Sequence, residues 1–232
     1  MMNLMLGDCL ERMKEIPDGS VDMVLADPPY GTTACKWDIV IPLELMWEQL
    51  KRVIKPNGAI VLFGSQPFTS ILIVSNLKMF KYCWYWKKNR ATGVLNAKKQ
   101  PLREKEEICV FNCKQYNPQG LTPLNKPSRN GKKDSSVYGK GQTKSYVQEF
   151  TNYPKQTLEF DCVQRTLHPT QKPVALMEYL IKTYTQEGET VLDNCMGSGT
   201  VGVACKNLSR SFIGIEKDET YFKIAQDRIA AI

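Results

Sequence analysis

The mostly apolar run Val21–Ala26 ends at the tetrapeptide Asp27-Pro28-Pro29-Tyr30, and this junction restricts the fold more than any other feature of the sequence. A short, nearly continuous apolar run is typical of a strand that is buried on both faces of a sheet. Proline has no backbone N–H group to donate to a neighbouring strand, so the strand must end at the tetrapeptide. The sequence therefore predicts a buried strand whose tip presents a carboxylate, two backbone carbonyls and one aromatic ring.

Strand-like and helix-like segments alternate along the rest of the chain. Further apolar strands are predicted at residues 2–6, 59–63, 81–87, 107–112, 190–192 and 211–215. Periodicity and capping signals predict helices at residues 8–16, 42–54, 68–77, 173–184, 200–208 and 221–230. Residues 55–58, Lys-Pro-Asn-Gly, are expected to stop the second helix. Such alternation predicts a doubly wound α/β fold with about seven strands in a mostly parallel, Rossmann-like sheet.

Residues 115–165 interrupt this alternation, because they are rich in polar residues, glycine and proline and have no apolar period. A loop-rich insertion and a disordered segment both fit that composition. Residues 87–165 also hold 16 Lys or Arg against 7 Asp or Glu, whereas the whole chain has a net charge of +7. Such a segment attracts phosphate backbones, although a solvated basic surface would have the same composition. We therefore divide the chain into two halves of one core, residues 1–112 and 166–232, and a basic insertion, residues 113–165.

Several classes of protein are disfavoured by the sequence. The eight cysteines are scattered without a repeated metal-ligand spacing, and His168 is the single histidine, so no metal site is predicted and the thiols are expected to be reduced. No apolar run reaches the roughly 18 residues that a membrane span needs. The N-terminal residues also lack the layout of a signal peptide. We expect a cytoplasmic protein without a membrane segment.

A second candidate site is the loop Gly197-Ser198-Gly199, between a predicted strand and a predicted helix. Glycines at such a place let the backbone approach a ligand at the helix N-terminus, although a tight structural turn has the same sequence. Glu216 ends the next strand, at a spacing where an acid commonly binds ribose hydroxyls. The loop lacks the Lys-Ser/Thr pair of a phosphate-binding P-loop, which argues against a nucleoside triphosphatase.

The tetrapeptide suits a flat ring that carries an exocyclic amine. The Asp27 carboxylate and the Pro28 carbonyl can accept the two amine hydrogens, and the Tyr30 ring can stack on the base. The amine of adenine or cytosine is a poor nucleophile because its lone pair is delocalised, so the site would act by positioning and by stabilising the developing positive charge. The base would have to be flipped out of the duplex. A Pro-Pro turn with a surface tyrosine is the alternative interpretation.

With these two motifs and His168-Pro-Thr-Gln-Lys-Pro173, the sequence resembles the DNA amino-methyltransferases, which use S-adenosylmethionine to methylate N6 of adenine or N4 of cytosine. The order of the motifs looks like the beta group of that family, which is circularly permuted. The resemblance covers about residues 3–112 and 166–230 and omits the basic middle, where that family places its target-recognition region.

The resemblance implies a role for each matching residue. The catalytic set would be Asp27, Pro28, Pro29 and Tyr30. The cofactor-binding set would be Asp8, Asp27, Lys172, Asp193, Cys195, Gly197, Ser198, Gly199, Thr200 and Glu216. In that set Glu216 would hold the ribose, Asp8 would approach the cofactor adenine and Lys172 would reach the cofactor carboxylate. Cys195 departs from the aromatic residue that often opens the loop in the family, which would loosen side-chain contacts over the cofactor. The product would be S-adenosylhomocysteine.

Asp27 favours adenine, because the family more often has Asp at this position for adenine N6 and Ser for cytosine N4. Cytosine-N4 methylation remains the nearest alternative, and a non-catalytic DNA-binding protein with a degenerate cofactor site is an alternative from another class. Methylation of RNA or of a protein glutamine would need a different surface from the basic segment. We interpret His168 as a structural hydrogen-bonding residue and Cys35 as a small buried residue.

The predicted partner is double-stranded DNA. The candidate contacts are Lys87, Lys88, Arg90, Lys98, Lys99, Lys126, Arg129, Lys132 and Lys133. These residues would hold phosphates more than read bases. The neighbouring aromatic residues Trp84, Tyr85 and Trp86 could stack on unpaired bases or belong to the core. A recognition segment this short predicts a short site or the help of a second copy, so a homodimer is also expected.

Overall fold

The computed structural model describes residues 1–33, 35, 38–129 and 145–232. The chain divides into one unit made of Met1–Asn117 and Gln156–Ile232 and a second unit, Pro118–Lys155. No helix among the described residues has the length and apolar character required to cross a membrane.

The described residues form ten strands. They are β1 Met2–Leu6, β2 Val21–Ala26, β3 Ile54–Gly64, β4 Phe80–Thr92, β5 Arg103–Phe111, β6 Thr122–Arg129, β7 Ser145–Thr151, β8 Thr157–Glu159, β9 Thr190–Asp193 and β10 Ser211–Glu216. Eight of them build the sheet of the first unit, in the order β1-β10-β9-β2-β3-β5-β4-β8. The strands from β1 to β3 in this order are parallel to one another, β5 is antiparallel to both of its neighbours, and β8 pairs with β4 in parallel.

Helices cover both faces of this sheet. They are α1 Cys9–Arg12, α2 Leu43–Val53, α3 Phe68–Ser75, α4 Val174–Tyr184, α5 Thr200–Asn207 and α6 Glu219–Ala230. Because side chains alternate along a strand, β2 contributes to two cores. Met23 and Leu25 pack with α4, α5 and α6, whereas Val24 and Ala26 pack with α2 and α3. The burial of β2 on both faces agrees with its nearly continuous apolar sequence.

The predicted α/β class and mostly parallel sheet are confirmed, but the sheet has eight strands rather than seven. The additional strand is β8, which is three residues long and lies in the segment without apolar period. Only Leu158 of this strand is buried, and one buried residue cannot produce a recognisable alternation.

Two local predictions also need correction. Helix α1 ends at Arg12, and a 3₁₀ turn, Met13–Glu15, replaces the rest of the predicted helix. Residues 55–58 belong to β3, where the register against β2 shifts. Between the pairs Val21–Ile54 and Met23–Ala59, β3 advances five residues and β2 only two, so β3 accommodates three extra residues as an irregularity. The Pro-Asn-Gly sequence therefore follows the end of the helix but does not delay the strand.

The strand order places three acids at one edge of the sheet. The chain leaves β9 towards β10 on one side and leaves β2 towards β3 on the other, so β2 and β9 flank a topological switch point. Ligands bind outside the carboxyl ends of parallel strands at such a point. Asp27 follows β2, Asp193 ends β9 and Glu216 ends β10. The fold therefore brings the two sequence motifs to the same crevice.

The second unit contains the antiparallel pair of β6 and β7. Its pairing shifts register between Pro123 and Lys126, and the side-chain amide of Asn152 donates a hydrogen bond of 2.7 Å to the Gly120 carbonyl. This unit is shorter than the predicted insertion, because residues 113–117 and 156–165 belong to the first unit. The recognition role of the insertion stays a prediction.

Candidate active site

A cavity of about 550 Å³ opens at the carboxyl ends of β2, β9 and β10. This volume lies in the range of ordinary small-molecule sites. Twelve of the predicted site residues line it: Asp8, Asp27, Pro28, Pro29, Tyr30, Lys172, Asp193, Cys195, Gly197, Ser198, Thr200 and Glu216. Residues that are far apart in the sequence therefore share one space.

The Asp27 carboxylate has a partner on each oxygen. Its Oδ1 accepts a hydrogen bond of 2.5 Å from the Tyr30 hydroxyl, and its Oδ2 lies 2.5 Å from Nζ of Lys172. The side chain remains 20% exposed, and that exposed part faces the cavity. Burial raises the pKa of Asp27 above its ordinary value, and the Lys172 ammonium offsets part of that rise. The carboxylate is thus fixed in orientation and is a stronger base than an exposed aspartate.

Lys172 is held by two carboxylates, Asp27 and Glu106, and its implied role of reaching the cofactor carboxylate stays a prediction. Its Nζ lies 3.3 Å from Oε2 of Glu106, which also pairs with Lys88. Burial alone would lower the pKa of Lys172, but the two carboxylates outweigh burial and raise it. Sequence reasoning missed Glu106. Alternation along β5 places it on the same face as the buried Ile108, and an acid on a core face requires a cation.

The Tyr30 ring packs against Phe68, with ring centroids 5.2 Å apart and planes at 27°. Burial raises the pKa of its hydroxyl well above the ordinary value, so the hydroxyl remains a hydrogen-bond donor to Asp27. One face of the ring is therefore occupied by Phe68. Stacking on a base, the predicted role of Tyr30, would use the opposite face.

Asp38 is a second residue that sequence reasoning missed. It is 7% exposed, and its carboxylate accepts four backbone N–H groups, from residues 30–33, at 2.7–2.9 Å. Burial alone would raise the pKa of Asp38, but the Thr33 side chain and these backbone donors outweigh burial and lower it. The carboxylate fixes the loop after the tetrapeptide, including the backbone of Tyr30. No apolar pattern marks such a residue, although an acid a few residues after a turn is a weak signal.

The glycine loop is held by carboxylates at the ends of β9 and β10. Gly197 has φ of +50°, and its N–H donates to Oε2 of Glu216 at 2.8 Å. The N–H of Cys195 donates to Oδ1 of Asp193 at 3.0 Å. Burial raises the pKa of both Glu216 and Asp193 above the ordinary values. Two acids therefore line the cavity where a ligand with hydroxyl and amine donors would be bound.

Gly199 is absent from the described residues that line the cavity. It precedes α5 with φ of +76°, and an added Cβ would lie 2.9 Å from Cβ of Ala225 on α6. The structure thus explains this glycine by close helix packing. Arg228 of α6, which the sequence did not suggest, donates to the Ser198 carbonyl at 2.5 Å and to its hydroxyl at 2.9 Å. Arg228 therefore stabilises the loop through these bonds to Ser198.

Three further predicted residues have clear surroundings. The Asp8 carboxylate caps α1 by accepting the Leu10 N–H at 2.9 Å, and Asp8 also lines the cavity. Nδ1 of His168 accepts the Thr170 N–H at 3.2 Å, in keeping with a structural role. Cys35 was expected to be buried but is exposed, because it lies on the loop after the tetrapeptide and outside both cores.

The predicted DNA contacts divide into three groups. Arg90, Lys98, Lys99 and Lys126 are exposed, and Lys87 is 43% exposed beside Glu159. Lys88 is only 12% exposed and pairs with Glu106, so we remove it from the proposed contacts. Lys132, Lys133 and the side chain of Arg129 lie outside the described residues. Trp84 and Trp86 belong to the core, whereas Tyr85 is partly exposed. The described part of the chain contains no group of three or more His, Cys, Asp or Glu arranged to hold a metal ion.

Comparison with known sequences gives one consistent result. A family model described as DNA methylase, for N6 and N4 methyltransferases, matches residues 21–227. The type II methyltransferase M.HpaI of Haemophilus parainfluenzae is 29% identical over 97% of this chain and 73% of its own length. The type II methyltransferase M.HinfI of Haemophilus influenzae is 25% identical over 99% of this chain and 68% of its own length.

Solved structures agree with the sequence matches. The crystal structure of the M1.HpyAVI complex with SAM has a TM-score of 0.67 and 28% identity, covering 98% of this chain and all of that chain. The PvuII DNA methyltransferase, which is cytosine-N4-specific, has a TM-score of 0.69 at 15% identity and covers 98% of this chain and 86% of that chain. At that identity the likeness concerns the fold alone.

Proposed function

This chain belongs to the DNA methylase family of N6 and N4 amino-methyltransferases, and from that premise we propose that it transfers a methyl group from S-adenosylmethionine to N6 of an adenine in double-stranded DNA. The observation that carries the proposal is the shared cavity, in which the Asp27 carboxylate and the glycine loop line the same space. A methyl donor and an amine acceptor can meet only in such an arrangement.

The walls of the cavity fit S-adenosylmethionine in size and chemistry. Glu216 and Asp193 present carboxylate oxygens for hydroxyl and amine groups. Asn194 lines the same cavity, and its buried side-chain Oδ1 has no hydrogen-bond partner among the described residues. When bound, the cofactor supplies an electrophilic methyl group on a sulfonium centre. The relative M1.HpyAVI, which is similar to this chain, has been crystallised with SAM.

Asp27 would bind the amine and stabilise the charge that develops on it. Its carboxylate accepts an N–H of the adenine amine, the Pro28 carbonyl accepts the other, and the amine lone pair then points away from the ring plane. As the nitrogen becomes positive, the carboxylate stabilises it and accepts its proton, which the raised pKa of Asp27 favours. Tyr30 keeps Oδ1 in place through its 2.5 Å hydrogen bond.

We propose adenine rather than cytosine because position 27 is Asp, which the family more often has for adenine N6, rather than Ser. The fold does not separate the two bases, since a cytosine-N4-specific enzyme has a similar fold. Cytosine-N4 methylation is therefore the second candidate function. The exposed residues Arg90, Lys98, Lys99 and Lys126 are proposed to contact DNA phosphates. The homodimer also stays a prediction, which light scattering of the purified protein would test.

The test is mass spectrometry of DNA digested after reaction with isotopically labelled S-adenosylmethionine. The proposal expects labelled N6-methyladenine from the parent protein and none from Asp27→Ala. Asp22→Asn is the matched control, because Asp22 is a partly buried acid of β2, the strand that Asp27 follows, and lies outside the cavity lining in the described part of the chain. Labelled N4-methylcytosine would establish the second candidate. Calorimetry that detects no binding of S-adenosylmethionine would instead favour a non-catalytic DNA-binding protein.

A further inference from the structure

Glu106 is a buried carboxylate for which the proposed reaction has no role. Its side chain is 15% exposed and pairs with Lys88 and Lys172. A buried charge is costly unless its partners compensate for lost water. Glu106 and Lys88 lie outside the cavity lining in the described part of the chain, so Glu106 can affect the reaction only at a distance, through its charge and its ion pair with Lys172.

Asp27, Lys172, Glu106 and Lys88 form a row of alternating charges that is neutral as a whole. The row is uneven at Lys172, whose Nζ is 2.5 Å from Oδ2 of Asp27 but 3.3 Å from Oε2 of Glu106. That Glu106 oxygen is buried and receives no well-aligned hydrogen bond from the described residues. It is therefore an open acceptor beside an ammonium that Asp27 now holds more closely.

We propose that Glu106 is a positioning residue that shares the Lys172 ammonium with Asp27, so that Lys172 can release the Asp27 carboxylate when the substrate amine binds there. This inference rests on the proposed function of Asp27. Asp27 must turn an oxygen towards the amine, and Lys172 then keeps a negative partner in Glu106. Without Glu106 the ammonium would have Asp27 as its one carboxylate and would hold it.

The electrostatics of the row give the expected direction. In the described part of the chain, four ionisable groups act on Asp27. They are Lys172 in the segment before α4, Glu106 on β5, the Tyr30 hydroxyl in the loop after β2, and Asp193 at the end of β9. The negative charge of Glu106 raises the pKa of Asp27. The distances of the Asp27 and Glu106 oxygens to Nζ of Lys172 keep the two carboxylates within about 6 Å of each other. At that separation one charge shifts the pKa of a partly buried carboxyl by roughly one to two units.

The first experiment is Glu106→Gln, read by ¹³C NMR titration of the side-chain carboxyls without cofactor or DNA. The Asp27 signal is assigned by its absence in Asp27→Asn. We expect the Asp27 midpoint to move to lower pH by about one to two units in Glu106→Gln. Asp22→Asn is the control, since Asp22 is 12% exposed and pairs with Lys55 at 2.7 Å. In Asp22→Asn the Asp27 midpoint should stay at the parent value, even if the melting temperature of that variant falls.

An Asp27 midpoint that stays in place or rises in Glu106→Gln overturns the inference. If that variant does not fold because Lys88 is left buried without a partner, the double variant Glu106→Gln/Lys88→Gln restores neutrality and is expected to show the same downward shift. Glu106→Asp keeps the charge and should return the midpoint towards the parent value. A shift that Glu106→Asp does not reverse would also contradict the inference.

The activity of the same variants separates the inference from the proposed function. With the parent active on DNA, Glu106→Gln should lower kcat about tenfold, move the acid limb of the pH profile to lower pH, and leave the KM for S-adenosylmethionine within about twofold. If the parent is active but the Asp27 midpoint does not move in Glu106→Gln, the inference is wrong and the proposed function is unaffected. A parent that methylates no DNA ends the proposed function, while the NMR titration still decides whether Glu106 acts on the Asp27 carboxylate.

Discussion

Replacing Asp38 by Asn should loosen the loop that fixes the catalytic tetrapeptide. Asp38 accepts the N–H groups of Tyr30 and Gly31 on Oδ1 and those of Thr32 and Thr33 on Oδ2. An asparagine keeps one oxygen, so two of the four donors would face its NH₂ group. Each charge-assisted hydrogen bond contributes about 1.5–3 kcal/mol, and loss of two predicts a decrease of about 3 kcal/mol in the free energy of unfolding. The loop can open to water, which keeps the loss at the lower end.

The assay is urea unfolding followed by fluorescence, together with the methylation rate. For a chain of this size, about 3 kcal/mol corresponds to a melting temperature lower by about 6–12 °C. The rate should fall about tenfold or more, because Tyr30 orients Asp27. Asp18→Asn is the control, since Asp18 is 78% exposed in its ion pair with Arg52. Asp38→Asn with the stability and rate of Asp18→Asn would refute the reasoning.

The pH dependence has a definite sign. Asp38 has a lowered pKa in the folded state, so its stabilisation is complete above the ordinary aspartate pKa of about 3.9 and disappears as the pH falls through the folded value. The difference in unfolding free energy between the parent and Asp38→Asn should therefore be full at pH 7 and should narrow below about pH 4. A difference that widens on acidification would contradict this account.

Three more predictions concern the cofactor loop and the basic surface. Gly199→Ala should lower the free energy of unfolding by about 2–4 kcal/mol in thermal unfolding, because of φ strain and a 2.9 Å contact with α6. Gly188→Ala, at a similar φ of +81° but with nothing within 4 Å, should lower it by only about 1 kcal/mol. Equal losses in the two variants would contradict the role of close helix packing. Glu216→Gln should raise the Kd for S-adenosylmethionine about tenfold in calorimetry, and an unchanged Kd would remove Glu216 from the site. Lys98→Ala/Lys99→Ala should weaken DNA binding for all sequences and reduce the salt slope by about two, and an unchanged slope would exclude phosphate contacts there.

The sequence predicted the parts of the site that depend on one strand end. Asp27 and Glu216 directly follow or close apolar strands, and the carboxyl ends of neighbouring parallel strands lie at the same edge. Local pattern alone could therefore place them. It could not reveal Arg228, because its contact with Ser198 joins α6 to a loop 30 residues earlier and depends on how α5 and α6 pack.

Lys88 shows where a local reading went wrong. Its basic neighbours indicated an exposed cluster, yet alternation along β4 puts it on the same face as Trp84 and Trp86, which are buried. The strand period was the better guide than the charge run. Glu106 repeats the lesson on β5, and the two residues explain each other only when the strands are paired. For β8 the strand period could not be used, because a strand of three residues is too short to display one.

The parallel pairing of β2 with β9 joins Met23 to Val191. A ribosome that adds about 5–20 residues per second would complete β9 on the order of ten to thirty seconds after β2. During that interval the edge of β2 that will meet β9 lacks its partner, and the Asp27 tip has no glycine loop opposite it. The nascent chain would therefore be unable to modify DNA until β9 and the glycine loop that follows it have emerged.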